Sequence, residues 1–250
     1  MAEPRMTPSR GSFLVPIVGL ALALLASVVS LDLVASFKHV RVPTSLGGLT
    51  PALLAGDELG LWAVMLATTW VGASFWAHEP FLRFVRFTGR GRDIVVGAVV
   101  GALGQLILVP ALYLVVEAFV PRVRAEVSKP AEQLLGIGVS HDLALVIGIV
   151  VVGAPLVEEL FFRGLTFGLF ELRARRWRGW LRSWVPVVGS ALLFAIAHFE
   201  PVQFLGLFAF GIVLGVLRWR SGRLAPSIVA HAALNLVAVV ALLGSGLVVR

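Results

Sequence analysis

"GAPLVEELFFRGL" occupies residues 153–165 and sets Glu158, Glu159 and Arg163 inside a segment that otherwise reads as a buried apolar helix. Each charge at mid-membrane opposes insertion by about 2.5–3.5 kcal/mol on translocon scales, so three together persist only where they pair or meet water. Glu159 and Arg163 are four apart, on one helical face, and can form an ion pair. Glu158 points about 100° away from Glu159 and is left for another task. Taken alone, the group could also be a polar cluster that only holds a bundle together.

The surroundings set the fold class. Of 250 residues, 58% are hydrophobic and 14% charged, whereas a soluble domain is about half apolar and a quarter charged. Apolar runs predict helices near 13–34, 59–77, 94–116, 143–171, 184–199, 202–218 and 225–248, and a bilayer crossing needs about 20 residues. The expected fold is all-α: a polytopic transmembrane helix bundle of seven spans over 13–250, preceded by a tail at 1–12. The first run exceeds the ~7–15 residues of a signal-peptide core, so a retained helix is expected.

The net charge of +7 does not point to nucleic acid, because the basic residues lie in short connections between apolar runs, facing lipid headgroups. One set comprises Arg5 and Arg10, the arginines of 83–92 and of 173–182, and Arg218, Arg220 and Arg223, fourteen in all. The opposite set has six, Lys38, Arg41, Arg122, Arg124, Lys129 and Arg250, diluted by acidic residues that include Asp57 and Glu58. This asymmetry predicts a cytoplasmic N-terminus. Trp76, Trp177, Trp180, Trp184 and Trp219 fall at the same interface, and 171–184 reads as a linker lying among the headgroups. The scarcity of lysine beside arginine suggests a bacterial inner (plasma) membrane. The absence of cysteine excludes thiol catalysis, cysteine-ligated metals and disulfides.

Two of the five histidines, His198 and His231, lie in predicted spans. Phe194 and His198 share one helical face, as do His231 and Asn235, the sole asparagine. A carboxylate and an imidazole beside one water can take its proton and later protonate a leaving amine. An asparagine amide and a second imidazole can donate to a developing oxyanion. Together these parts suit hydrolysis of an amide by activated water.

Three stretches, "EELFFR" at 158–163, "FAIAH" at 194–198 and "HAALN" at 231–235, stand in order on three predicted helices. In these the chain resembles the CPBP family of CAAX proteases and bacteriocin-processing enzymes, also called type II CAAX prenyl endopeptidases or the Abi group. Their pattern is Glu-Glu-x-x-x-Arg, Phe-x-x-x-His and His-x-x-x-Asn, and the resemblance covers about residues 140–240. It implies that Glu158 and His198 activate water, that His231 and Asn235 stabilise the oxyanion, and that Glu159, Arg163 and Phe194 support the site. It implies an intramembrane endopeptidase acting on a peptide or a membrane-anchored, possibly lipidated, protein segment. Eukaryotic members cut after prenylated cysteines; bacterial members process or confer immunity to peptides, so the CAAX motif itself is not carried over. Neither substrate identity nor oligomeric state is specified.

Rival readings stay open. Glu158, His198 and His231 make a His₂Glu set of the zinc type, although the usual His-Glu-x-x-His is absent: His78-Glu79 is followed by Pro80 and ends at Leu82. No cofactor is expected, with zinc as the alternative. A non-catalytic immunity, scaffold or transport protein would also carry intramembrane charges. "LLGSGL" at 242–247 and "LLAGDE" at 53–58 lack the first glycine of rhomboid and presenilin signatures, and Ser140, His141 and Asp142 read as a helix start. One conflict remains. At ~1.5 Å per residue, Glu158 and His198 lie ~20–25 Å from the arginine-rich ends but His231 only ~10 Å. Bringing them together requires tilt, an uneven helix start or a misplaced boundary.

Overall fold

The computed structural model describes residues 11–121, 123–137 and 142–245. Most of the expected tail, with Arg5 and Arg10, lies outside the described residues, as do Arg122, Ser140, His141, Gly246 and Arg250. Seven helices are long and apolar enough to cross a bilayer: Leu14–Phe37, Pro51–Ala77, Gly91–Glu117, Leu143–Ala174, Trp180–Ala197, Phe204–Ser221 and Ala225–Ser245. They are called first to seventh below. Each overlaps one predicted run, and the chain is an all-α, multi-pass membrane protein with no strand among the described residues.

Three boundaries differ from expectation in ways that matter. The second helix starts at Pro51, because Thr50 Oγ1 caps it by accepting from the Leu53 amide (3.3 Å) and proline at the first position loses no bond. Asp57 and Glu58 therefore sit inside the helix rather than in a connection, with Asp57 accepting from the Ser27 hydroxyl of the first helix. The stretch 171–184 is not a linker throughout: helix persists to Ala174 and resumes at Trp180, after Gly179 reverses the chain at φ 64°. The sixth helix runs on to Ser221, so Arg218 is helical and only 1% exposed. A hydropathy reading takes such a residue for a loop charge because it cannot see the partner that holds it.

The fourth helix is irregular where it matters. A single α-helical stretch, Ala154–Glu159, is bracketed by π-helical turns at Gly148–Gly153 and Leu160–Thr166. Proline lacks the amide donor and its ring crowds the carbonyl four residues back. The wider turn before Pro155 relieves both problems. The same pairing recurs in the third helix, where the π-turn Gly104–Leu108 precedes Pro110.

The third and seventh helices pack backbone to backbone. A Cβ on Gly97 would meet Pro226 O at 2.9 Å, and one on Gly101 would meet Ala230 O at 2.1 Å, so only glycine permits this approach. It brings the seventh helix, and with it His231, into the bundle.

The depth conflict is resolved by an uneven start. The turn from the sixth to the seventh helix is recessed: Leu224 is fully buried, its amide donates to Arg86 O (3.0 Å), and Arg218 donates through Nε to the Arg163 carbonyl (3.1 Å). The fourth helix continues eleven residues beyond Arg163 to Ala174, past that turn. His231 is thus near its own helix end yet level with the charges of the fourth helix. Arg223 fixes the same turn by a fork of two bonds to Asp93 (2.7 and 2.6 Å), and the carboxylate holds its guanidinium above the ordinary range.

Gly101→Ala is expected to force the third and seventh helices apart and to destabilise the protein by about 1–3 kcal/mol. Gly91→Ala, where an added Cβ meets nothing within 4 Å, should leave stability unchanged. Thermal unfolding of the two variants in one detergent compares them directly.

Candidate active site

Glu159 is the hub of the buried charges. Its Oε1 accepts from Arg163 Nη1 at 2.8 Å and from His231 Nδ1 at 3.1 Å, and both members of the ion pair are 0% exposed. Arg163 reaches further. Its Nη2 donates to Gly211 O of the sixth helix (3.1 Å), and its guanidinium lies 4.5 Å from the centroid of the Phe194 ring. One ion pair, predicted from the i,i+4 spacing, therefore ties the fourth helix to the fifth, sixth and seventh.

Phe194 organises the two histidines. Its ring stands edge-on to His198 (centroids 4.6 Å apart) and to His231 (5.5 Å), and its carbonyl accepts from His198 Nδ1 at 2.8 Å. A carbonyl can only accept, so His198 Nδ1 carries the hydrogen and Nε2 presents a lone pair in the neutral ring. The same reasoning gives His231 a hydrogen on Nδ1, facing Glu159. His198 itself is not within the fifth helix but caps it, one residue beyond Ala197. Phe199 follows in the left-handed region at φ 51°, a conformation costing a non-glycine residue about 1–2 kcal/mol. The chain turns abruptly there and leaves the imidazole at the helix end.

Glu158 faces elsewhere, as its 100° offset from Glu159 requires. Its side chain is 16% exposed, its Oε2 finds no hydrogen-bond partner among the described residues, and His231 Nε2 stands 3.9 Å away. Glu158, Phe194, His198, His231 and Asn235 all line one cavity of about 360 Å³. Asn235 donates one amide hydrogen to Val150 O (2.8 Å), which leaves its second N–H for another acceptor. The arrangement thus offers a carboxylate oxygen that no hydrogen bond occupies, an imidazole lone pair and a free amide donor to whatever enters.

The zinc alternative needs Glu158, His198 and His231 as ligands. Among the described residues no three His, Asp or Glu side chains are grouped to hold a metal ion.

Sequence reasoning missed several residues at or near the site. Gln105, Tyr113 and Gln203 line the cavity, and Tyr113 Oη donates to Val202 O (2.7 Å), bracing the turn that follows His198. Tyr113 is the only tyrosine of the chain, the one signal that could have marked it. Arg218 lies 5.2 Å from the Phe167 centroid as well as on the Arg163 carbonyl. In the sequence it is hidden among topology-determining arginines.

Residues 140–237 match the type II CAAX prenyl endopeptidase Rce1-like family. Over 165 residues the chain is 31% identical to an uncharacterized 24.3 kDa protein of Escherichia coli, covering 63% of this chain and 69% of that protein. No solved structure matches the chain significantly.

Removing one member of a buried pair leaves an uncompensated charge and costs about 3–5 kcal/mol. Glu159→Gln and Arg163→Met are each expected to show that loss, and the double variant to lose less than the sum. Unfolding midpoints and protein abundance in the membrane read the cycle; strict additivity would mean that the pair is not coupled.

Proposed function

The chain belongs to the type II CAAX prenyl endopeptidase Rce1-like family, and from that membership we propose that it is an intramembrane endopeptidase working by glutamate- and histidine-activated water. The observation that carries this reading is Glu158: a carboxylate whose Oε2 has no hydrogen-bond partner among the described residues, in a cavity it shares with His198. Ionisable groups inside membranes are retained for function by default, and here the structural share of the charge is already taken by Glu159 and Arg163.

In the proposed reaction a water between Glu158 and His198 gives its proton to the carboxylate as its oxygen attacks the peptide carbonyl carbon. The carbonyl oxygen becomes an oxyanion, accepting from the free Asn235 N–H and from His231 Nε2. Because His231 Nδ1 already donates to Glu159, Nε2 donates only in the imidazolium form, which Glu159 and the oxyanion itself would balance, Glu158 being neutral once it holds the water's proton. Collapse of the tetrahedral intermediate breaks the C–N bond, and the proton first taken from water passes to the leaving amine. Such acid–base assistance contributes about 10²–10⁴-fold, and each oxyanion donor a further ~10²–10³.

The substrate is a peptide or a membrane-anchored protein segment, the medium a bilayer, and the setting a bacterial plasma membrane. The mechanism proposed is metal-free, that of a glutamic protease.

Glu158→Gln keeps the shape of the side chain and removes the base. Mass spectrometry of membrane peptides from cells carrying wild type or Glu158→Gln should show products only with the wild type, at equal protein abundance. Identical peptide sets, or a function that persists in the variant, would instead favour a scaffold or immunity role. With a product identified, activity of purified protein should survive chelation; loss on chelation and return on adding zinc would replace the metal-free mechanism.

A further inference from the structure

The cavity runs in one direction only. From the level of Glu158 its lining moves along the third helix through Gln105, Val109 and Tyr113, toward the Glu117 end. Along the seventh it passes Leu234, Ala238 and Leu242, toward the Ser245 end, with no lining residue before His231. The fifth and sixth helices contribute from the turn that joins them, through His198, Gln203 and Gly206. The remaining wall, Val127, Ser128 and Ala131, belongs to the connection between the third and fourth helices, and Gln203 Nε2 donates to Val127 O at 2.7 Å across it.

In a seven-helix bundle the connections from third to fourth and from fifth to sixth helix lie on the same face. The opposite face carries the connections rich in arginine, at 83–92, 175–178 and 220–223. Toward that face the bundle is closed: Arg163, Phe167, Arg218 and Leu224 are all within 1% of complete burial. Arginine-rich connections stay in the cytoplasm. The cavity wall is also chemically one-sided: among the described residues Glu158 is its one carboxylate and most of the rest is apolar, so an acidic side chain entering it would lose hydration and meet a like charge.

We propose that substrate reaches Glu158 from the non-cytoplasmic face, between the third-to-fourth connection and the fifth-to-sixth turn, and that the cavity takes an apolar stretch of polypeptide without acidic side chains. The proposal rests on the endopeptidase reading for the word substrate, but the route itself does not. A protein using this route acts on segments that already lie across the membrane from the ribosome, such as the outer flank of a membrane-inserted or exported chain.

The chain has no cysteine, so single cysteines report position without background. Ser128→Cys and Ala131→Cys, two independent positions on the cavity wall, are compared in intact spheroplasts with Arg176→Cys on the opposite face, using a membrane-impermeant maleimide. Labelling at 128 and 131 is expected without permeabilisation, and labelling at 176 only after it; the reverse pattern overturns the route. In purified protein, a short blocked apolar peptide should slow labelling of Ala238→Cys several-fold, and its glutamate-substituted analogue should not. Equal protection by both, or by neither, overturns the substrate class. Labelling needs no turnover. The expected pattern with an inactive protein would refute hydrolysis alone, and cleavage abolished by Glu158→Gln with reversed labelling would refute the route alone.

Discussion

A carboxylate and a guanidinium cannot both be withdrawn from water and lipid headgroups unless each finds compensation inside the protein, because desolvation costs several kcal/mol per ion. Glu159 and Arg163 meet that condition by recruiting three other helices: His231 from the seventh, the Gly211 carbonyl from the sixth, and the face of Phe194 from the fifth. The pair is therefore a fixed point to which the other parts of the site are referenced. Phe194 presents its edges to both histidines, so the position of each imidazole follows from the ring that the guanidinium holds. Against a hydrophobic replacement such a pair gives little net stability; what it provides is a single register for four helices.

Two backbone irregularities make that register compatible with a reactive group beside it. The π-turns on either side of Ala154–Glu159 change the facing of the helix before and after the glutamates. The buried face carries Glu159, while Glu158, one residue earlier, reaches the cavity. The recessed turn before the seventh helix then sets His231 at the depth of these residues although it is only the seventh residue of that helix. Arg218 joins the two irregularities, since its Nε bonds a carbonyl of the second π-turn from the end of the sixth helix. A wide turn leaves carbonyls poorly paired within their own helix, and an arginine from a neighbour satisfies one of them.

The result is a molecule with two unlike ends. On one, buried arginines, aromatic rings and the Asp93–Arg223 fork leave no passage. On the other, the turn between the fifth and sixth helices, of eighteen residues each, lies beside the site, because His198 caps the fifth helix there. The space above that turn is the cavity, walled by the 123–137 segment and braced by Tyr113 and Gln203.

Composition and run lengths determined that the chain is a seven-helix membrane protein, because apolar length is a property each segment carries by itself. Spacing determined the Glu159–Arg163 pair and the separate status of Glu158, because residues four apart on a helix meet and adjacent ones do not. Three motifs in order pointed to the family. What spacing could not reach is whatever depends on contacts between helices: that Glu58 is helical, that Arg218 is a buried ligand of a carbonyl rather than a loop charge, and that Tyr113 and Gln203 belong to the cavity. The common depth of Glu158 and His231 was likewise undecidable, since residue counting assumes that all helices start at one level. Only the tertiary structure sets those levels, through close glycine contacts and bonds to carbonyls whose positions no single segment encodes.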